Sequence, residues 1–140
     1  MSLLLILGLI AAILGLAYAS FHYVKVKKME EGTEQMQTVA SAIRIGSNAF
    51  MRYEYKVLLM VVIIVAVLLA LVVTPYTAIC FILGAVMSGS AGWIGMKIAT
   101  YANVRVTNTA LKTRDIGASL KVAFQGDSVM GLCVGGFALF

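Results

Sequence analysis

All 11 lysines and arginines of this chain fall in two stretches, and the residues outside those stretches are almost free of charge. Lys25, Lys27, Lys28, Arg44, Arg52 and Lys56 occupy the first stretch; Lys97, Arg105, Lys112, Arg114 and Lys121 occupy the second. Met1 to Val24 carries no Asp, Glu, Lys or Arg, and neither does the long run from Val57 to Met96, which turns back on itself at Pro75. About 20 apolar residues at 1.5 Å each cross the roughly 30 Å hydrocarbon core of a bilayer. With 61% hydrophobic and 12% charged residues, there is too little polar surface to coat a water-facing globule, where charged residues run near 25%. The class is therefore integral membrane and all-α: three complete transmembrane helices and the start of a fourth. Positive-inside bias places both basic connections in the cytoplasm and the N-terminus outside. A net charge of +5 can also signal nucleic-acid binding. These loops lack the interleaved aromatics and repeated basic spacing of such a surface, so the bilayer, with its anionic headgroups, is the expected partner and nucleic acid is not.

The first helix is read over about residues 3–24. Ala17-Tyr18-Ala19 imitates a signal-peptide cleavage site, but no basic residue precedes the apolar run and three lysines follow it, as in a retained span. Tyr18, Phe21, His22 and Tyr23 then fall at headgroup level, with His22 an interface residue rather than a ligand. Gly32-Thr33 marks a helix start with Thr33 as N-cap. Met36, Val39, Ala40, Ile43 and Phe50 share one helical face, and no breaker separates them from the apolar run 57–73. This predicts one helix over about 34–73, roughly 60 Å long, whose first half projects into water. Thr74-Pro75-Tyr76 ends it, because proline lacks the N–H and restricts the residue before it.

The third helix is read over about 77–112, again running past the membrane through Ala102, Val104 and Val106. Gly84, Ser88 and Gly92 recur every four residues, the spacing that lets two helix backbones approach closely in lipid. Gly117 marks the start of the fourth helix, about 118–140, whose apolar pattern is broken by Gln125-Gly126-Asp127. The uncharged run from Ser128 to Phe140 covers about 20 Å, short of a full span, so the chain reads as a fragment ending within a helix.

Chemical motifs are sparse. No phosphate loop, nucleophile elbow, HExxH or dinucleotide fingerprint is present. Cys80 and Cys133 sit in apolar runs without metal or disulfide spacing and are expected to be small buried hydrophobes. Asp127 is the one acid near an apolar segment and is expected at the mouth of the fourth helix, within reach of water.

Three blocks carry a resemblance. Val39-Ala40-Ser41-Ala42-Ile43-Arg44-Ile45-Gly46-Ser47-Asn48-Ala49-Phe50, with Arg52, Glu54, Tyr55 and Lys56 after it, resembles the opening of the second helix of membrane-bound ion-translocating pyrophosphatases. Gly92-Trp93-Ile94-Gly95-Met96-Lys97-Ile98-Ala99-Thr100 and Ala102-Asn103-Val104-Arg105 resemble that family's third helix. Leu120-Lys121-Val122-Ala123-Phe124 and Val129-Met130-Gly131-Leu132 resemble its fourth. The blocks keep family order and spacing across residues 32–140. Ile45, Asn48 and Gln125-Gly126-Asp127 depart from the usual choices.

The resemblance implies an N-terminal piece of a fold of about sixteen transmembrane helices in two concentric rings, usually a homodimer, in a prokaryotic inner membrane. It implies hydrolysis of pyrophosphate at a cytoplasmic site, with Mg2+ as cofactor, driving export of sodium or protons. Glu31-Gly32-Thr33-Glu34-Gln35-Met36 resembles the potassium-stimulated, sodium-pumping branch, in which K+ and Na+ also bind. The first four helices belong to the outer ring by this resemblance, next to the remaining helices of the same protein. No catalytic, cofactor-binding or metal-ligating residue is therefore assigned in this chain, and the fragment alone is expected to be inactive. A non-catalytic scaffold acting through helix contacts and a transporter of unrelated type are the alternatives; neither accounts for three family-like blocks in order.

Overall fold

The computed structural model describes residues 3–139, and they form four helices: α1 (Leu3–Lys28), α2 (Glu34–Val72), α3 (Pro75–Thr113) and α4 (Ile116–Ala138). Three of them, in α1, α2 and α3, are long and apolar enough to cross a membrane. The chain is an all-α membrane protein.

Each boundary has a local cause. Thr33 caps α2 by accepting the Met36 N–H on Oγ1 at 3.4 Å. At 39 residues and 1.5 Å each, α2 is about 60 Å long, since nothing between Glu34 and Val72 interrupts it. Thr74 caps α3 by accepting the Thr77 N–H at 3.3 Å, and Pro75 takes the first helical position, where its missing N–H costs no bond. Arg114 closes α3 in the left-handed region at φ 52°, its N–H donated to the Ala110 carbonyl. Asp115 then starts α4 by accepting the N–H groups of Gly117 and Ala118 at 2.9 and 3.2 Å. At its far end α1 runs on past Val24 through the lysines to Lys28, because favourable charge gathers at a helix C-terminus.

α3 is the centre of the bundle. α2 packs on one side of it and on no other helix among the described residues, α4 packs on the other side, and α1 lies along α4 with a lesser contact to α3. The buried core is Ala19, Val26, Ala91, Ile98, Ala102, Val129 and Cys133. Most other large apolar side chains are exposed, Leu59, Ile63 and Leu71 among them, which suits a surface facing lipid rather than water.

The close helix contacts use small residues, but not chiefly the stripe expected from the sequence. A Cβ on Gly126 would stand 2.7 Å from the Ala102 Cβ, one on Gly95 2.6 Å from the Met130 Cγ, and one on Gly136 2.8 Å from the Leu16 Cγ. The tight seams are thus α3–α4 and α1–α4. Gly84 has nothing within 4 Å of such a Cβ, and Ser88 is exposed. A Cβ on Gly92 would meet only the Tyr55 hydroxyl of α2, at 3.5 Å, and one on Gly89 the edge of the same ring, at 3.6 Å.

Other expectations are corrected too. Gln125-Gly126-Asp127 lies in the middle of α4, because Asp115 starts the helix well before the apolar run. Asp127 is accordingly an exposed mid-helix residue, not one at a helix mouth. Cys133 is buried in the core, whereas Cys80 lies on the open face of α3. Of the expected apolar face of α2, Ala40 is buried while Val39, Ile43 and Phe50 stay exposed.

Candidate functional site

The most constrained polar site lies where the α1–α2 connection meets the end of α3 beyond its apolar half. α1 stops at Lys28 with its last carbonyls unpaired within the helix, as every helix end does. α3 supplies the missing donors from Arg105. Its Nη2 donates to the Lys27 carbonyl at 2.7 Å, Nε to the Met29 carbonyl at 2.9 Å, and Nη1 to the Tyr101 carbonyl of its own helix at 2.7 Å. Asn108, one turn on, donates Nδ2 to the Glu30 carbonyl at 3.2 Å. Arg105 is only 3% exposed. A buried guanidinium is tolerable only when its fan of donors is satisfied and its charge is met.

Glu31 meets that charge. Its carboxylate lies 3.1 Å from Arg105 Nη2 and takes a forked pair from Arg44 of α2, at 2.6 and 3.3 Å. The Tyr101 ring lies among the cations, 4.5 Å from Arg44 Cζ, 5.8 Å from Arg105 Cζ and 5.6 Å from Lys27 Nζ. Lys112 pairs with Glu30 further along α3. Hydrogen bonds from Arg44 chiefly hold the Glu31 carboxyl below the usual carboxylate range, against the opposing effect of burial. Burial lowers Arg105 from its ordinary value, and Glu31 opposes that shift. The turn that aims Glu31 needs Gly32 at φ +89°: a Cβ there would lie 2.7 Å from Met36 Sδ and 2.9 Å from Asn108 Oδ1.

A second polar contact joins α2 to α3 about two turns deeper. Lys97 Nζ donates to Asn48 Oδ1 at 2.6 Å and lies 5.2 Å from the Trp93 ring centre. Trp93 meets Tyr55 edge to face at 5.8 Å, and the Tyr55 hydroxyl donates to the Gly89 carbonyl.

These groups bind helices to one another. Glu30, Glu31 and Asp115 are engaged by Lys112, by two arginines and by the α4 amides, while Glu54 and Asp127 stand exposed and apart. Among the described residues no three His, Cys, Asp or Glu side chains gather where a metal ion could sit. Mg2+ takes oxygen ligands at near-octahedral positions about 2.1 Å away, and the described residues gather no such ligand set.

Of the residues singled out in the sequence, His22 is buried, between Tyr18 and Phe21 at 4.4 and 5.7 Å. Arg105 and Asn108 escaped sequence reasoning. The available signal was the row Tyr101, Arg105, Asn108, Lys112, one polar stripe at helical spacing on α3.

A bundle of apolar helices whose charged ends are tied by a buried arginine defines an integral membrane protein of multi-helix packing. Residues 13–140 match the model of the family described as inorganic H+ pyrophosphatase, and the chain belongs to that family. It is 50% identical over 127 residues to a K(+)-stimulated pyrophosphate-energized sodium pump of Thermotoga maritima, covering 91% of this chain and 18% of the relative. It is 42% identical over 128 residues to a K(+)-insensitive pyrophosphate-energized proton pump of Moorella thermoacetica, with 91% and 18% covered. A K(+)-insensitive proton pump of Methanosarcina mazei is 36% identical over 132 residues, with 93% and 19% covered. The chain therefore spans less than a fifth of the length of these relatives.

Proposed function

We propose that this chain is the N-terminal, outer-ring part of a membrane pyrophosphatase that couples pyrophosphate hydrolysis to sodium export. The observation that carries this is the 50% identity to a sodium pump across nine-tenths of the chain, against 42% and 36% to the proton pumps. Proton export is the second reading, favoured by those same proton-pump relatives. In either case the whole protein works as a homodimer with Mg2+, its carboxylate ligands on helices other than these, because the acids here are paired, capping or dispersed.

The spans are the apolar parts of α1, α2, α3 and α4, with the basic ends of α2 and α3 extending into the cytoplasm and the N-terminus outside. All 11 basic residues on one side support this orientation. In the prokaryotic inner membrane the four helices then act as a rigid outer support for a cytoplasmic active site. The test is hydrolysis by the full-length protein with Mg2+ and pyrophosphate. Phosphate release that rises with Na+ and K+ supports the sodium reading; release indifferent to both favours the proton pump, and no release contradicts the family activity.

A further inference from the structure

We propose that the crevice between α1 and α4 beside His22 is a binding site for the phosphate-bearing headgroup of an anionic lipid. His22 on α1 is 8% exposed, and its Nδ1 is buried without a hydrogen-bond partner. On α4, Gln125 Oε1 is likewise buried without a partner. Both side chains line one open crevice, together with Tyr18, Lys121, Phe124 and Ser128. A buried polar atom left unpaired costs about 1–3 kcal/mol, so two at one crevice point to a polar occupant.

The nature of that occupant follows from the lining. Lys121 is exposed and has no acidic partner among the described residues. An imidazole protonated on Nδ1 donates, and the Gln125 amide donates in its other orientation, since amide oxygen and nitrogen are interchangeable assignments. The Ser128 hydroxyl is already committed to the Gln125 carbonyl at 3.0 Å. The donors and the positive charge favour a phosphate. Phe124 and Leu120 at the rim are 63% and 50% exposed, as acyl chains leaving a headgroup require. His22 also follows directly on the apolar run of α1 and precedes Lys25, which sets the crevice at headgroup depth, where basic pockets between transmembrane helices hold anionic lipids.

Native mass spectrometry of the full-length protein in detergent, titrated with dilauroyl phosphatidylglycerol or dilauroyl phosphatidylcholine, tests this. The wild type should retain phosphatidylglycerol in preference to phosphatidylcholine. Lys121→Gln, at an exposed position that leaves the fold intact, should weaken that binding about tenfold, the loss of one charge-assisted bond. Lys121→Arg should restore it. His22→Leu should also weaken phosphatidylglycerol binding while leaving the lipid-free thermal midpoint equal or higher, because it removes an unpaired buried nitrogen. Equal retention of the two lipids, or phosphatidylglycerol binding undiminished in Lys121→Gln and His22→Leu, would overturn the proposal. So would competition in which millimolar inorganic phosphate displaces the lipid and raises the thermal midpoint by itself, since the site would then take a soluble anion.

Discussion

Arg105 Nη2 stands 3.1 Å from Glu31 Oε1 across 74 residues of sequence, and the same nitrogen donates to the Lys27 carbonyl. One side chain therefore caps α1, neutralises the turn before α2 and belongs to α3. Arg105→Met should lower the stability of the full-length protein in detergent by about 3 kcal/mol, as expected for breaking a buried pair from one side. Arg105→Lys should not rescue it, because one ammonium cannot reproduce the planar fan that reaches three carbonyls and a carboxylate. A double-mutant cycle with Glu31→Gln should give a coupling of about 1–2 kcal/mol. Thermal midpoints that simply add would deny the link between the two residues.

The same carboxylate sets a pH response. The pKa of Glu31 is lowered by folding, chiefly by the Arg44 hydrogen bonds, so its contribution is fully present above the unfolded glutamate value. It is lost as pH falls through the lower, folded value. The wild type should lose stability in that acid window, and Glu31→Gln should lose less over the same range. Parallel curves for the two proteins would remove Glu31 from the account.

The glycines separate close seams from open faces. Gly126→Ala should cost about 1–3 kcal/mol, because its new methyl meets the Ala102 Cβ, which cannot rotate away. Gly84→Ala should raise stability by up to about 1 kcal/mol, as alanine does on an open helix face. Gly92→Leu falls between, pressing on the movable Tyr55 ring. A loss at Gly84 as large as that at Gly126 would mean that another helix covers that face.

These contrasts also show what is legible in such a chain. Thr33, Thr74 and Pro75 announce their helix ends because caps depend on neighbours three residues away. The unbroken length of α2 follows from the lack of any breaker. The packing seam is less visible: α3 carries small residues on more than one face, and Met130 and Gly126 of α4 decide which is used. Arg105 was hidden for a related reason. Its partners are backbone carbonyls, which any residue could present. The crevice at His22 was equally unreadable, since it arises only when α1 and α4 lie side by side.

The orientation is tested by labelling. With Cys80 and Cys133 replaced by alanine, which is needed because Cys80 is exposed, a single cysteine at Thr109 should react with an impermeant maleimide only from the cytoplasmic side. A cysteine at Tyr76 should react only from the opposite side. The reverse pattern would invert the proposed topology.

Whether these helices support a pyrophosphate-driven sodium pump is read most directly from 22Na+ uptake by inverted membrane vesicles containing the full-length protein. With Mg2+, K+ and pyrophosphate, Na+ should accumulate inside and continue to do so when a protonophore collapses any proton gradient. Acidification of the vesicles without Na+ uptake, or uptake abolished by the protonophore, would contradict it.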